Sequence, residues 1–440
     1  MTNRNPERGI CELYQEDPER ADALVFGRIA ESDRRGFLRG AGLATMGAVV
    51  GAAIPFARNM PAGLIPEALA QSAQPFVLKG KDGLTVLNDR PVNAETPAHL
   101  LDDAITPIER HFIRNNGVVP ERATSGSLQG WSLRVDGEVS GPLNLGMDDL
   151  KRRFSPVTLQ LQLECGGNGR ASFNPPASGN QWTVGAVGCS EWTGVRLADV
   201  LKAAGIKDSA VYVAYHGTDV HLSGDPKKDT ISRGAPVWKM MDPHTLLAYE
   251  MNGKPLPDWH GFPLRIVAPG WPGSVSGKWL DRIWVRDKVH DGEKMTGASY
   301  RRPAFPVKPG TKVANSDMRI MESMPVKSVI TYPKSDATLP VDNRTMEVRG
   351  HAWAGDNAVS HVDVSIDFGS TWISASLDAP RNPYAWQSWR ARIEFPKQGY
   401  YEVWARATDD QGRMQPFAVA WNPRGYGSNI MHRVAVTVKT

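Results

Sequence analysis

The sequence predicts a two-domain α+β protein: a mixed α/β domain over residues 71–310, then an immunoglobulin-like β-sandwich over 311–440, behind an N-terminal segment of about 70 residues that is removed. Three observations carry this expectation. Glycine (42), proline (33) and tryptophan (14) are plentiful, which suits many strands and turns and few long helices. Residues 157–163 alternate apolar Val157, Leu159, Leu161 and Leu163 with Thr158, Gln160 and Gln162, the period of a strand with one buried face. Past a proline-rich linker at 302–309 the composition changes to short alternating runs separated by turn residues.

The amino-terminal segment carries an address. Ser32-Asp33-Arg34-Arg35-Gly36-Phe37-Leu38 is a twin-arginine sequence, followed by a weakly apolar run at 41–56 and by Ala68-Leu69-Ala70, a small-x-small cleavage site. The apolar run is shorter than the roughly 20 residues a spanning helix needs. Cleavage near Ala70, a periplasmic location and no remaining membrane anchor are expected. This route exports folded proteins, which suits an enzyme that acquires a complex cofactor before crossing.

Within 71–310, a strand is expected through Trp131, Leu133 and Val135 up to the turn Asp136-Gly137, and a short helix over 147–154 leads into the 157–163 strand. That strand runs into Cys165 and a turn whose Gly166, Gly167 and Gly169 permit positive φ, with Arg170 five residues past the thiol. A soft ligand and a permanent cation thus share one strand end, although a buried structural cysteine before an ordinary turn fits the same pattern. Residues 195–204 read as an amphipathic helix stopped by Gly205, and 211–215 as a strand ending in His216-Gly217-Thr218-Asp219. His260 and Arg265 flank a turn into another strand. The glycine-rich loop 270–279 ends in Lys278 but fails as a Walker A loop, because three residues separate Gly273 from Gly277 and Trp279 stands where Ser or Thr belongs. Its amides and Lys278 could hold a phosphate or polar heterocycle, but on the residues alone the plain-loop reading is favoured. In the sandwich, strands are expected at 328–332, 346–353, 359–367, 372–377, 386–395, 400–408 and 434–439.

Charge and cysteine usage exclude several classes. The net charge of +4 is spread without basic runs, which argues against nucleic acid as a partner. Cys11 leaves with the amino-terminal segment, so the mature chain keeps Cys165 and Cys189, free to stay reduced or to form one disulfide. The absence of C-x-x-C-H, C-x-x-C and H-E-x-x-H argues against covalent haem, an iron–sulfur cluster and a zinc-protease site.

Several of these stretches together resemble the sulfite oxidase family of molybdenum enzymes. They are F-I-R-N at 112–115, L-E-C-G-G-N-G-R at 163–170, G-A-V-G-C-S-E-W-T-G-V-R-L at 185–197, A-Y-E-M-N-G at 248–253, H-G-F-P-L-R at 260–265, G-K-W-L at 277–280 and W-N-P-R-G-Y-G-S-N at 421–429. The resemblance implies a molybdopterin-binding core in 71–310, a dimerisation role for the sandwich and a homodimer. It implies Cys165 as the thiolate on molybdenum, completing a coordination begun by the pterin dithiolene. Arg114, Asn115, Asp219, His260, Arg265, Gly277 and Lys278 match cofactor-binding positions, and Arg114, Arg170, Arg424, Trp182 and Tyr300 match the substrate pocket. The match at Tyr300 needs one inserted residue. The implied reaction oxidises sulfite to sulfate, and without a haem domain in this chain the electrons would pass singly to an external c-type cytochrome. Three arginines suit a dianion, each charge-assisted bond contributing about 1.5–3 kcal/mol. Competing expectations are a sulfane dehydrogenase acting on carrier-bound sulfur, nitrate reduction, and a metal-free relative serving as a binding or assembly subunit. Cys189 lies outside the ligand motif and reads as a packed small residue.

Overall fold

The alternation at 157–163 becomes the strand Pro156–Glu164 in the computed structural model, which describes residues 78–440. The amino-terminal segment expected at 1–70, with Cys11, lies outside the described residues. Pro156–Glu164 pairs antiparallel with Val187–Arg196, which pairs in turn with Leu246–Met251. The strand Arg265–Val267 joins this sheet by pairing with Leu246–Met251. A second five-stranded sheet runs in the order Leu143–Leu145, Leu133–Gly137, Leu280–Arg286, Tyr212–Gly217 and Gly234–Pro236. One apolar core, including Leu133, Val200, Val213, Leu247, Ile266 and Ile283, spans the two sheets and their helices. Burial of each such side chain stabilises the fold by about 1.5–3 kcal/mol.

Helices are short, as the composition suggests. Met147–Arg153 has Asp148 and Asp149 in its first turn and Lys151, Arg152 and Arg153 in its last, complementing the helix dipole. Asp149 Oδ2 accepts the Gly146 amide at 3.0 Å, so one orphan donor is satisfied. The helix expected over 195–204 is Leu197–Ala203. Val195 instead lies within the strand Val187–Arg196, because it pairs with both Pro156 and Leu247 and the ladder on two sides outweighs helical periodicity. Among the described residues no helix is long and apolar enough to cross a membrane.

The sandwich forms a four-stranded and a five-stranded sheet around Val348, Val362, Trp389, Ile393, Val403 and Val436. The single strand expected at 372–377 is two: Ile373–Ser374 pairs with Val359–Ser365, and Ser376–Leu377 with Gln387–Glu394 in the other sheet. The chain switches sheets at Ala375, a corner that local alternation does not reveal. The linker at 302–309 is partly structured, since Arg301–Pro303 pairs with Met318–Ile320.

Ion pairs, buried and half-exposed, join the two halves. Lys239, fully buried, reaches Asp356 at 2.7 Å, and Arg349 grips Asp102 with Nη2–Oδ2 at 2.7 Å. Lys327 pairs with Glu164, the residue before Cys165. Both remaining cysteines are free and buried. The disulfide alternative fails on register: Cys189 sits opposite Gln162, so Cys165 lies three residues, about 10 Å, further along the ladder. Burial pushes the Cys189 thiol up to about 12, which leaves it protonated and packed.

Candidate active site

Cys165 follows the central strand and lines a cleft together with Arg114, His260, Arg265, Lys278 and Tyr300. Its amide donates to Ala186 O at 2.9 Å, and its carbonyl accepts the Asn168 amide at 2.9 Å, closing the turn. Of the three turn glycines only Gly169 has positive φ (86°). A Cβ there would lie 2.8 Å from Ser428 Oγ. Gly167 is required for a different reason: the Arg170 guanidinium fills the place of its side chain.

Three segments bring cations to this cleft, and Lys81 stands behind it against His260. Arg114 comes from the short strand Ile113–Arg114, at the edge of a small three-stranded sheet that alternation did not disclose. Its Nη2 donates to Asn116 Oδ1 at 2.9 Å and lies 3.5 Å from the Tyr300 hydroxyl. Burial opposes its charge, but Tyr300 and Cys165 outweigh that and raise it above the ordinary arginine value. Arg265 opens the strand Arg265–Val267, donates to His260 O at 3.0 Å and Ser276 O at 3.2 Å, and is pushed down to about 9 by burial. Lys278 reaches Trp259 O at 2.9 Å and Asn115 Oδ1, and burial followed by Arg265 pushes it well below the usual lysine range. His260, depressed by burial and then by Lys81, accepts Lys81 Nζ at 2.6 Å. Lys81 itself is lowered to about 7 by burial.

Asp219 also lines this cleft, and burial, opposed by Lys278, raises it to about 6. Arg114, Arg265 and Lys278 thus crowd one desolvated space in which Asp219 is the one carboxylate among the described lining residues, while Lys81 stands behind His260 with Glu109 and Asp258 near it. Two like charges about 6 Å apart at an effective dielectric near 20 repel by ~3 kcal/mol. Such a cluster fits an anion that the chain itself does not supply.

The other expected site residues are placed differently. Asn115 is buried behind Lys278, with Nδ2 lacking any partner. Arg170 is buried beneath the cysteine turn, donating to Arg424 O at 2.7 Å and Asn180 O at 2.9 Å. Trp182 is fully buried against Phe112, Leu163 and Cys165, with Nε1 unpartnered, and is not on the cleft wall. Arg424 is exposed, with Nη1 3.5 Å from Ser178 Oγ; its backbone, not its guanidinium, meets Arg170. Sequence reasoning missed Lys81, His111, Tyr215 and Arg233. His111 adjoins the F-I-R-N motif and Tyr215 ends a recognised strand, but nothing local marks Lys81 or Arg233.

Residues 116–294 match the oxidoreductase molybdopterin binding domain, and residues 318–439 match the Mo-co oxidoreductase dimerisation domain. Sulfite oxidase of Gallus gallus is 34% identical over 364 residues, covering 80% of this chain and 77% of that protein. The chain belongs to the sulfite oxidase family of molybdenum enzymes. Mitochondrial sulfite oxidase of Rattus norvegicus is 36% identical over 374 residues, 81% of this chain, but this chain spans only 66% of that protein's length. Nitrate reductase [NADH] 1 of Oryza sativa subsp. japonica is 32% identical over 397 residues, 83% of this chain and 42% of that protein. The sulfane dehydrogenase SoxCD from Paracoccus pantotrophus has the same fold, with a TM-score of 0.64 and 26% identity over 85% of this chain and 90% of that one.

The residues of this sulfite oxidase family member fit a molybdenum-pterin group. Among the described residues no cluster of three or more His, Cys, Asp or Glu side chains can hold a metal ion; the Cys165 thiolate is a soft ligand suited to a metal whose other ligands a cofactor would supply. A phosphate-bearing pterin answers the excess cations, and the unpartnered Asn115 Nδ2 and Ser274 Oγ beside the cleft offer it further hydrogen bonds. Gly277 keeps the wall open, since a Cβ there would strike the Tyr215 ring, 2.7 Å from its Cγ.

Proposed function

We propose that this protein oxidises sulfite to sulfate at a molybdenum-pterin centre held by Cys165, in the periplasm after twin-arginine export, and passes electrons singly to an external c-type cytochrome. The observation that carries this reading is the excess of desolvated cations, Arg114, Arg265 and Lys278 against the one carboxylate Asp219, around a cleft lined by the Cys165 thiol. Arg114, Asn115, Asp219, His260, Arg265, Gly277 and Lys278 are assigned to holding the cofactor. Of the residues that match the substrate pocket, Arg114 and Tyr300 line the cleft and are assigned to it, and Arg170 is assigned to the support of the cysteine turn beneath; Trp182, packed in the core, and the exposed Arg424 side chain do not face the cleft in this structure. A homodimer through the sandwich is part of the proposal, supported by the match to a dimerisation domain.

When bound, the group supplies oxygen-atom transfer and a store for two electrons. In balance, sulfite and water give sulfate, two protons and two electrons. The chain's share is positioning and charge. Arg114 faces the oxyanion beside the Cys165 sulfur, and the Tyr300 hydroxyl, 3.5 Å from Arg114 Nη2, is placed to donate to a sulfite oxygen. Arg170 stiffens the turn beneath, because its donors hold Asn180 O and Arg424 O and so tie the cysteine turn to the carboxy-terminal segment. Lys278 and Arg265 neutralise the cofactor phosphate and recover the cost of their own burial.

A second reading, sulfane dehydrogenation of carrier-bound sulfur, draws support from the shared fold with SoxCD. Steady-state assays with sulfite, thiosulfate and nitrate, each with cytochrome c and with ferricyanide as acceptor, separate the readings. Turnover with sulfite alone is expected. No sulfite turnover by molybdenum-loaded protein, with activity on thiosulfate, would overturn the first reading in favour of the second.

A further inference from the structure

We propose that Arg233 is an additional fixed cation of the anion pocket, a positioning residue that acts on the bound oxyanion through Tyr300 and favours dianions over monoanions. The inference rests on the reading of the cleft as an oxyanion site given above.

Arg233 precedes the strand Gly234–Pro236 and is only 1% exposed. Its Nη1 donates to Lys294 O at 2.9 Å, while Nε and Nη2 have no partner. Among the described residues no carboxylate pairs with it: burial opposes its charge, and the groups that favour it are the phenols of Tyr300, Tyr215, Tyr212 and Tyr426. A desolvated guanidinium without an anion is costly to keep unless a ligand brings the missing charge.

Its place relative to Tyr300 says where that charge belongs. The guanidinium lies 4.6 Å from the centre of the Tyr300 ring. Tyr300 stacks on Tyr426 at 5.3 Å and 21°, and Arg170 lies 5.0 Å from the centre of the Tyr426 ring. Arg233, Tyr300, Tyr426 and Arg170 therefore form a continuous series with an arginine at each end. Within it Tyr300 holds φ at 50°, a left-handed conformation that a tyrosine keeps only where its surroundings fix it. A second route leads to the same place: Lys294, whose carbonyl takes Nη1, reaches Asn116 Oδ1 at 3.2 Å with Nζ, and Arg114 Nη2 donates to that oxygen at 2.9 Å.

A cation on the face of a phenol draws electron density from it and makes its hydroxyl a better donor. Arg233 thus strengthens Tyr300 as a donor and fixes its ring without touching the reacting atoms. Its Coulombic effect scales with ligand charge, so a dianion gains more than a monoanion.

The test uses molybdenum-loaded Arg233→Gln, which keeps a donor for Lys294 O, and Arg233→Lys, which keeps the charge. Calorimetry gives the sulfate and nitrate dissociation constants, and steady-state kinetics gives KM and kcat for sulfite. In Arg233→Gln, sulfate affinity and sulfite KM should worsen by about tenfold, one step of about 1.4 kcal/mol, while affinity for nitrate, with half the charge, falls only about threefold and kcat falls less than threefold. Arg233→Lys should restore sulfate affinity to within about threefold. Unchanged sulfate affinity in Arg233→Gln, or equal losses for sulfate and nitrate, would overturn the proposal. If Arg233→Gln is not recovered folded, a tenfold sulfate loss in Arg233→Lys overturns it as well. Wild-type protein that binds sulfate but does not oxidise sulfite would refute the proposed reaction while leaving the Arg233 result readable.

Discussion

Replacing Lys327 by Met probes how the sandwich holds the cysteine turn. Glu164 is fully buried; its Oε1 accepts Asn168 Nδ2 at 3.0 Å and Lys327 Nζ, and its Oε2 accepts Trp353 Nε1 at 2.8 Å. Asn168 Oδ1 in turn accepts the Ala186 amide at 3.1 Å, on the far side of the turn. Without Lys327 the carboxylate keeps two neutral donors and loses its counter-charge. Breaking one side of a buried pair costs about 3–5 kcal/mol, of which the released lysine's own desolvation is already part. Urea unfolding followed by near-ultraviolet circular dichroism should show a loss of that size with an unchanged slope. The double variant Glu164→Gln, Lys327→Met should recover most of it, since no buried charge remains. A loss below about 1 kcal/mol in the single variant, or no recovery in the double, would refute the view that this pair locks the turn to the sandwich.

Cys165→Ser should abolish sulfite turnover while leaving the unfolding midpoint within about 1 kcal/mol, as the side chain sits at the cleft and a hydroxyl replaces it with little volume change. Near wild-type turnover would exclude Cys165 as the metal's ligand. Arg170→Met should raise the sulfite KM about tenfold or more by loosening the cysteine turn, and an unchanged KM would contradict that supporting role. Lys81 titrates at about 7 in the folded chain against 10.5 unfolded. Between these values the unfolded chain carries a proton that the folded one lacks, so cofactor-free protein should gain stability as pH rises from about 7 to 10.5. Lys81→Met should flatten that rise by one proton's worth of slope, measured by urea midpoints across pH; an unaltered slope would contradict the burial of Lys81 as its cause.

The strand into Cys165 was legible because alternation over seven residues has one physical meaning, and the motif carried Arg170 with it. The sandwich was legible strand by strand, apart from the sheet switch at Ala375 and the parallel edge strand Ala337–Pro340, whose terminal proline masks it. The strand Val187–Arg196 was hidden by its glycines. Gly188 and Gly194 weaken strand propensity, yet a Cβ at Gly188 would meet the His111 ring at 2.6 Å, and one at Gly194 would lie 2.6 Å from Ala248 Cα. Close approach from a neighbour, not local preference, selected those residues. Lys81 and Arg233 were illegible for a related reason: each matters through long-range contacts, Lys81 with His260 and Arg233 with Tyr300, that no window of sequence contains. The burial of Arg170 under its own turn, with Arg424 at the surface, likewise follows from the docking of the carboxy-terminal segment.

The most direct measurement is an anaerobic titration of oxidised, molybdenum-loaded protein with sulfite, followed by absorbance and referenced to bound molybdenum. The proposed reaction predicts that one sulfite per molybdenum delivers two electrons and appears as sulfate. Molybdenum-loaded protein that sulfite leaves oxidised would contradict it.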